Sequence, residues 1–262
     1  MNIETFDQLS PEWFAATAGN PGASNADKII TTKGERSKQR DDYMRQLAGE
    51  FIIGKREEGY TSQAMILGME REAQARQLFE MLYGEVRQVG LVWGENKSCH
   101  ASPDGLRETA GLEIKCPMIK THVKYLLEKT FPMDYFQQVQ MGMYVTGLKK
   151  WYFMSYYEGL RPFIVECVPD SRFQNALHFE MQAFTRELSD MIKRLQDQSG
   201  AEPCPTTPPS DKNSVATPQA EELAPNECPL RPDTTMAKKY CDKCKDRLGC
   251  KAWDIKFKEA GE

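Results

Sequence analysis

Apolar positions recur at helical spacing over residues 41–51 and again over 62–83, where Ala75, Leu78, Phe79 and Leu82 form one stripe. Strand-like alternation then takes over, at 87–93, 98–102 and 112–116. A helix is predicted over 134–145, followed by strands at 151–157 and 162–168 and a long amphipathic helix from 171 to about 196. The lead-in, 15–32, is rich in Ser, Thr and Gly, and Asp104-Gly105 predicts a tight hairpin turn. This order predicts an α/β fold, a mixed central sheet flanked by helices.

The pattern stops near residue 199. From there to Glu227 the chain carries six prolines and no aromatic residue. Such a stretch buries too little apolar surface to offset its ordering entropy, which predicts a flexible linker over 199–227. It divides a main domain, 1–198, from a short tail, 228–262.

Composition narrows the function. With 40% hydrophobic and 27% charged residues, a sizeable core is expected. Lys plus Arg total 34 against 38 Asp plus Glu, a net charge of -4. That excludes nucleic-acid binding by bulk charge and leaves room for a locally basic groove. No run of about 18 apolar residues occurs, so no membrane span is expected. Residues 1–24 lack a basic segment followed by an apolar one, so no signal peptide is expected. The expected location is cytoplasmic, the host cytoplasm if the chain is phage-encoded.

The chemistry concentrates around Ala101-Ser-Pro-Asp-Gly-Leu106 and Gly111-Leu-Glu-Ile-Lys-Cys-Pro117. Alternate side chains of a strand share a face, so Glu113 and Lys115 point one way and Leu112 and Ile114 the other, into a core. Two carboxylates, Asp104 and Glu113, suit Mg²⁺, which binds through few protein ligands and keeps several waters. A lysine beside them can stabilise an attacking water or the charge developing on a phosphate. Read blandly, Pro-Asp-Gly is a turn and Glu-x-Lys a solvated ion pair. Two further segments favour the first reading. Glu72 falls on the apolar stripe of its helix, where an unpaired carboxylate is costly. Gln138 and Gln140 lie about 200° apart on theirs, so one can reach a phosphate or water while the other braces backbone.

Together these segments resemble the lambda-exonuclease branch of the PD-(D/E)xK nucleases, also described as YqaJ-type viral recombinases. The resemblance rests on GMEREAQARQLFE, ASPDGL, GLEIKCP, YFQQVQMGMYV and KKWYFMSYY, in that order, and covers about residues 12–170. It implies a restriction-endonuclease-like fold in which Asp104, Glu113 and the Ile114 carbonyl hold Mg²⁺ or Mn²⁺. Lys115 would position or activate the water, Glu72 would complete the acidic cluster, and Gln138 and Gln140 would be the last motif's glutamines. The implied activity is 5′→3′ degradation of one strand of linear double-stranded DNA, by a ring-shaped trimer working beside a single-strand annealing protein. Ser24 and Ser102 fit the family's serines for the 5′-phosphate. Its arginine has no counterpart, since no Arg lies between Met1 and Ser24, and Lys28 or Lys33 stands as the substitute. The basic residues Lys28, Lys33, Arg36, Lys38 and Arg40 read either as a track for a DNA backbone or as a solvated loop.

Eight cysteines complete the picture. Cys99, Cys116 and Cys167 are expected to be buried small hydrophobes; Cys204, Cys228, Cys241, Cys244 and Cys250 crowd into the last quarter. Cys241-x-x-Cys244 presents two thiolates to one metal, with Cys250 and then Cys228 (Cys204 being the other candidate) able to complete the set. Four thiolates suit Zn²⁺ or an iron–sulfur cluster such as 4Fe–4S. The C-x₂-C-x₅-C spacing resembles the cluster-binding ends of AddAB-type helicase–nucleases and CRISPR adaptation nucleases, although no Cys precedes Cys99 here. A tail this small is expected to need its metal to fold. Two other functions fit the residues: a nuclease of the same fold with another polarity or endonuclease activity, and a non-catalytic DNA-binding module.

Overall fold

The computed structural model describes residues 1–56 and 63–199, and beyond them only the strands Glu227–Cys228 and Arg231–Thr235. It divides into two compact units, Met1–Cys204 and Pro205–Glu262. In the second, the two short strands pair antiparallel. Cys241, Cys244, Cys250 and Cys204 lie outside the described residues, and of Cys228 only the backbone is described. Most of the expected linker lies outside them too.

The first unit is a mixed α/β fold. In order it contains β1 (Asn2–Glu4), α1 (Pro11–Thr17), a 3₁₀ turn (Ala23–Lys28), α2 (Arg40–Ile53), α3 (Gln63–Tyr83), β2 (Leu91–Trp93) and β3 (His100–Ala101). Then follow β4 (Gly105–Leu106), β5 (Gly111–Lys115), α4 (Ile119–Glu128), α5 (Phe136–Thr146), β6 (Trp151–Ser155), β7 (Phe163–Cys167) and α6 (Ser171–Ser199). The expected single sheet is two: an antiparallel β1-β2-β3 and a mixed β4-β5-β6-β7 in which β5 and β6 run parallel. A bridge from Arg87 to Leu106 links the segment before β2 to β4. Asp104-Gly105 is not the hairpin turn. The hairpin is β4–β5, with Leu106 opposite Gly111, and Asp104 stands at its mouth.

Local chemistry sets the boundaries. Ser10 caps α1 by accepting from the Trp13 amide at 3.2 Å, with Pro11 in the first turn, where its missing N–H costs nothing. α2 and α5 end on Gly54 and Gly147, both left-handed (φ 69° and 73°), the usual helix stop. α1 and α4 carry no sequence prediction above. In α4 the buried residues are His122 and Tyr125, while Ile119, Val123 and Leu127, which follow helical spacing, are exposed.

α5 organises the core. It contacts β2, β3, β5, β6 and α6, and most of its side chains are buried, the polar Gln137, Gln140 and Thr146 included. On its far side α2 packs against α6. There Arg40, 3% exposed, pairs with Glu187 at 2.5 Å, and Arg36 pairs with Glu180 at 3.1 Å. Arg40 thus ties α2 to α6, while Arg36, in the loop before α2, pairs with the same α6 carboxylates and stays half exposed. Cys99 is buried, whereas Cys116 and Cys167 are only partly so. Among the described residues no helix is long and apolar enough to cross a membrane.

Candidate active site

β5 is an interior strand of its sheet, and its two faces differ. Leu112 and Ile114 enter a core with Ala75, Phe79, Val86 and Met154. Glu113 and Lys115 take the other face, and their side chains meet, Lys115 Nζ to Glu113 Oε1 at 2.6 Å. Leu82, expected on the α3 stripe, is instead 55% exposed, because the core ends at Phe79.

Asp104 is fixed to β5 twice. Its amide donates to the Leu112 carbonyl at 3.0 Å, and its Oδ2 accepts from the Ile114 amide at 2.6 Å. α5 then delivers Gln138, whose Nε2 donates to the same Glu113 Oε1 at 2.6 Å. Among the described residues Glu113 Oε2 and Asp104 Oδ1 receive no hydrogen bond. α3 contributes Glu72, held by Arg76 one turn on, and Arg76 Nε also donates to the Asp104 carbonyl at 2.8 Å. Glu70 is exposed.

Charge is crowded here. Burial drives the Asp104 carboxyl well above its ordinary range, and Glu113 and Glu72 push the same way. Glu72 is also raised, by burial foremost, with Arg76 opposing. Burial would lower Lys115, but Glu113 and Asp104 outweigh it, so the ammonium is held more firmly than usual. A fit to a divalent cation follows from the donor set: two close carboxylates with unclaimed oxygens, in surroundings short of positive charge. Among the described residues no three His, Cys, Asp or Glu converge as a ligand set. That is compatible with Mg²⁺, which commonly takes one or two carboxylates plus waters.

A small cleft of about 40 Å³ is lined by Glu113 and Gln138 and also by Trp13, Ser24, His100 and Ser102. Trp13 Nε1 donates to Ser102 Oγ at 2.9 Å. The structure therefore brings Glu72, Asp104, Glu113, Lys115 and Gln138 together, with Ser24 and Ser102 in the adjoining cleft. It does not bring in Gln140. That side chain turns away, donating to the Val168 carbonyl and accepting from the Asp170 amide, both at 3.0 Å, because successive even positions of a helix cannot share a face. Lys28 sits 5.1 Å from the Tyr43 ring and Lys33 is exposed; neither lines the cleft. Arg76, Trp13 and His100 are additions. Of these only Arg76 had a signal, its i+4 spacing from Glu72.

The YqaJ-like viral recombinase domain matches residues 12–149, more than half of the chain. The chain belongs to this family. Its fold is similar to that of LHK-Exo, an alkaline exonuclease from Laribacter hongkongensis, with 30% sequence identity over 72% of this chain and 98% of that one and a TM-score of 0.66. One of those structures is a complex with dAMP. A phage-related exonuclease from Haemophilus somnus 129PT shares the fold at 16% identity, covering 69% of this chain and 96% of that one, TM-score 0.53. No curated protein sequence matches the chain. Membership in the YqaJ-like family makes this chain a nuclease of phage-type recombination, from a family that uses divalent cations. The PD-(D/E)xK-type fold expected from the sequence is the fold observed.

Proposed function

We propose that this YqaJ-like protein is a Mg²⁺- or Mn²⁺-dependent exonuclease that removes the 5′-terminated strand of linear double-stranded DNA. The observation that carries this is the shared Glu113 oxygen: Lys115 and Gln138 both bind Oε1, and among the described residues no hydrogen bond takes Oε2, which leaves it for a cation. Asp104, Glu113 and the Ile114 carbonyl would hold the metal. A bound divalent cation there acidifies water and neutralises charge on the phosphate. Gln138 holds the Glu113 carboxylate in place, and the Lys115 ammonium supplies positive charge to the scissile phosphate. Glu72, tied back by Arg76, adds negative charge that favours the cation. Ser24 and Ser102, in the same cleft as Glu113, bind the 5′-terminal phosphate and so set the polarity. A trimeric ring and a single-strand annealing partner belong to this reading, as does a tail in which Cys228, Cys241, Cys244 and Cys250 hold Zn²⁺ or a 4Fe–4S cluster.

The test uses purified protein, Mg²⁺, a linear duplex with 5′-phosphates and a covalently closed circle. Loss of one strand from the 5′ ends with the circle spared is expected, and Glu113→Ala is expected to abolish it. Nicking of the circle would replace the proposal with an endonuclease of the same fold. An absorption spectrum and metal analysis of the full chain separate cluster from zinc.

A further inference from the structure

The Lys115–Glu113 pair does not by itself fix the ammonium. Lys115 ends a flexible four-carbon stem, and the carboxylate it contacts at 2.6 Å is Glu113. Glu113 is also the ligand proposed for the cation, whose charge has the same sign as that of the ammonium. With that charge present the ion pair holds Lys115 loosely, and a second hold is needed that is not itself a metal ligand.

Tyr135 has the geometry to supply it. Lys115 Nζ lies over the Tyr135 ring, 5.3 Å from its centroid. That is inside the distance of about 6 Å at which the negative face of a ring attracts an ammonium. The ring is itself fixed. It stacks on Phe153, with centroids 5.1 Å apart and planes 30° from parallel. Phe153 is fully buried and lies on β6 opposite Glu113 in the parallel register. The Tyr135 backbone closes the short turn Met133–Tyr135, its amide donating to the Pro132 carbonyl at 3.1 Å.

Spacing ties this ring to the rest of the site. Tyr135 caps α5 and Gln138 lies three residues on, so one helical turn carries both. From that turn Gln138 binds Glu113 Oε1, and Tyr135 faces the ammonium that contacts the same oxygen. The Lys115 side chain keeps 29% of its surface exposed, which leaves the ammonium open to a phosphate.

We propose that Tyr135 is a positioning residue for Lys115: the face of its ring, not its hydroxyl, holds the ammonium beside Glu113 and aimed at the scissile phosphate. This rests on the exonuclease reading for what Lys115 does and names the group that keeps it in place. Because Tyr135 acts through Lys115, its loss affects turnover and not DNA affinity.

Two measurements on the full chain test this. The first needs neither metal nor DNA. In protein labelled with carbon-13 lysine and kept in EDTA, the Lys115 ε-methylene signal is identified by its loss in Lys115→Arg. The ring current of Tyr135 is expected to move it upfield of the free-lysine position. It stays upfield in Tyr135→Phe and returns to the free-lysine position in Tyr135→Leu. The second measurement is steady-state cleavage of linear duplex DNA with Mg²⁺. Tyr135→Leu is expected to lower kcat about tenfold with KM unchanged, while Tyr135→Phe keeps the wild-type kcat. Pentafluorophenylalanine in place of Tyr135 preserves the ring's shape and reverses the charge of its face, so it lowers kcat as Leu does and decides the matter where thermal melts show Tyr135→Leu unfolded. A wild-type Lys115 signal at the free-lysine position overturns the inference. So does Tyr135→Phe as slow as Tyr135→Leu, or a fluorinated ring with wild-type kcat. An upfield Lys115 signal in a wild type that leaves linear DNA uncut overturns the exonuclease reading and leaves the hold of Tyr135 on Lys115 standing.

Discussion

Gln138 Nε2 donates to Glu113 Oε1 at 2.6 Å, and Lys115 Nζ contacts the same atom at the same distance. One helix and one strand thus converge on a single carboxylate oxygen, orienting the other away from both. Groups that orient a metal ligand commonly matter 10–100-fold. Gln138→Ala is expected to lower kcat about 10–100-fold on linear duplex DNA while the melting temperature stays near wild type. Steady-state kinetics beside a thermal melt checks it; unchanged kcat removes Gln138 from the site.

Gln140, two residues on, predicts the opposite pattern. Only 3% exposed, it joins α5 to the start of α6 through the Val168 carbonyl, the Asp170 amide and Gln174. Removing it strands buried polar groups at about 1–3 kcal/mol. Gln140→Ala should lower the unfolding free energy read from urea denaturation by that amount and leave kcat per folded molecule unchanged. The two glutamines are separated by stability and rate measured on the same pair of variants.

Asp104 is predicted to trade stability for function. A carboxyl whose pKa is raised by folding gives stability that is full below about pH 4 and is lost as pH rises through the folded value. At neutral pH the buried carboxyl of Asp104 therefore costs the metal-free protein stability. Asp104→Asn keeps an acceptor for the Ile114 amide and removes the charge, so in EDTA it should melt above wild type. Each unit of relieved shift corresponds to about 1.4 kcal/mol. Mg²⁺ should raise the wild-type melting temperature by binding the native state, and fail to raise that of Asp104→Asn. A variant that melts lower in EDTA refutes this cost.

Much of this site was readable from strand periodicity. The alternation Leu112-Glu113-Ile114-Lys115 places two side chains in a core and two in a site whatever the surrounding fold, because the pleat has period two. The helical period likewise put Glu72 above Ala75 and Phe79. What the sequence did not reveal depends on contacts between distant segments. Ser24 and Ser102 meet in one cleft only because Gly22 bridges to His100, the imidazole lying where a side chain on Gly22 would stand. Splitting of the sheet is equally non-local, since β3 and β4 are only a few residues apart yet pair with different partners. α4 differs in another way: its apolar residues Ile119, Val123 and Leu127 follow a helical period but stay exposed, and its buried side is built on His122, whose ring bonds Ser155 Oγ at 2.8 Å and faces the Arg161 carbonyl at 3.0 Å. Which face of α4 is buried therefore could not be read from its apolar spacing.

His100 predicts an acid sensitivity of the same region. Burial, reinforced by Arg56, pushes its pKa down to about 4 from 6.5. Between those values the unfolded chain holds the proton and the native one does not, so stability rises with pH. The neutral ring's contribution is complete above pH 6.5 and is lost progressively down to about pH 4. From pH 6.5 to pH 5 the loss is on the order of 2 kcal/mol. The buried carboxyls Asp104 and Glu72 act with the opposite sign from about pH 4 upward, across the same window, so the comparison must be made against a variant. His100→Phe removes the titration and keeps a ring against Gly22; its urea stability should fall less between pH 7 and pH 5 than that of wild type. Equal slopes for the two proteins would mean that His100 titrates in the native state as it does in water.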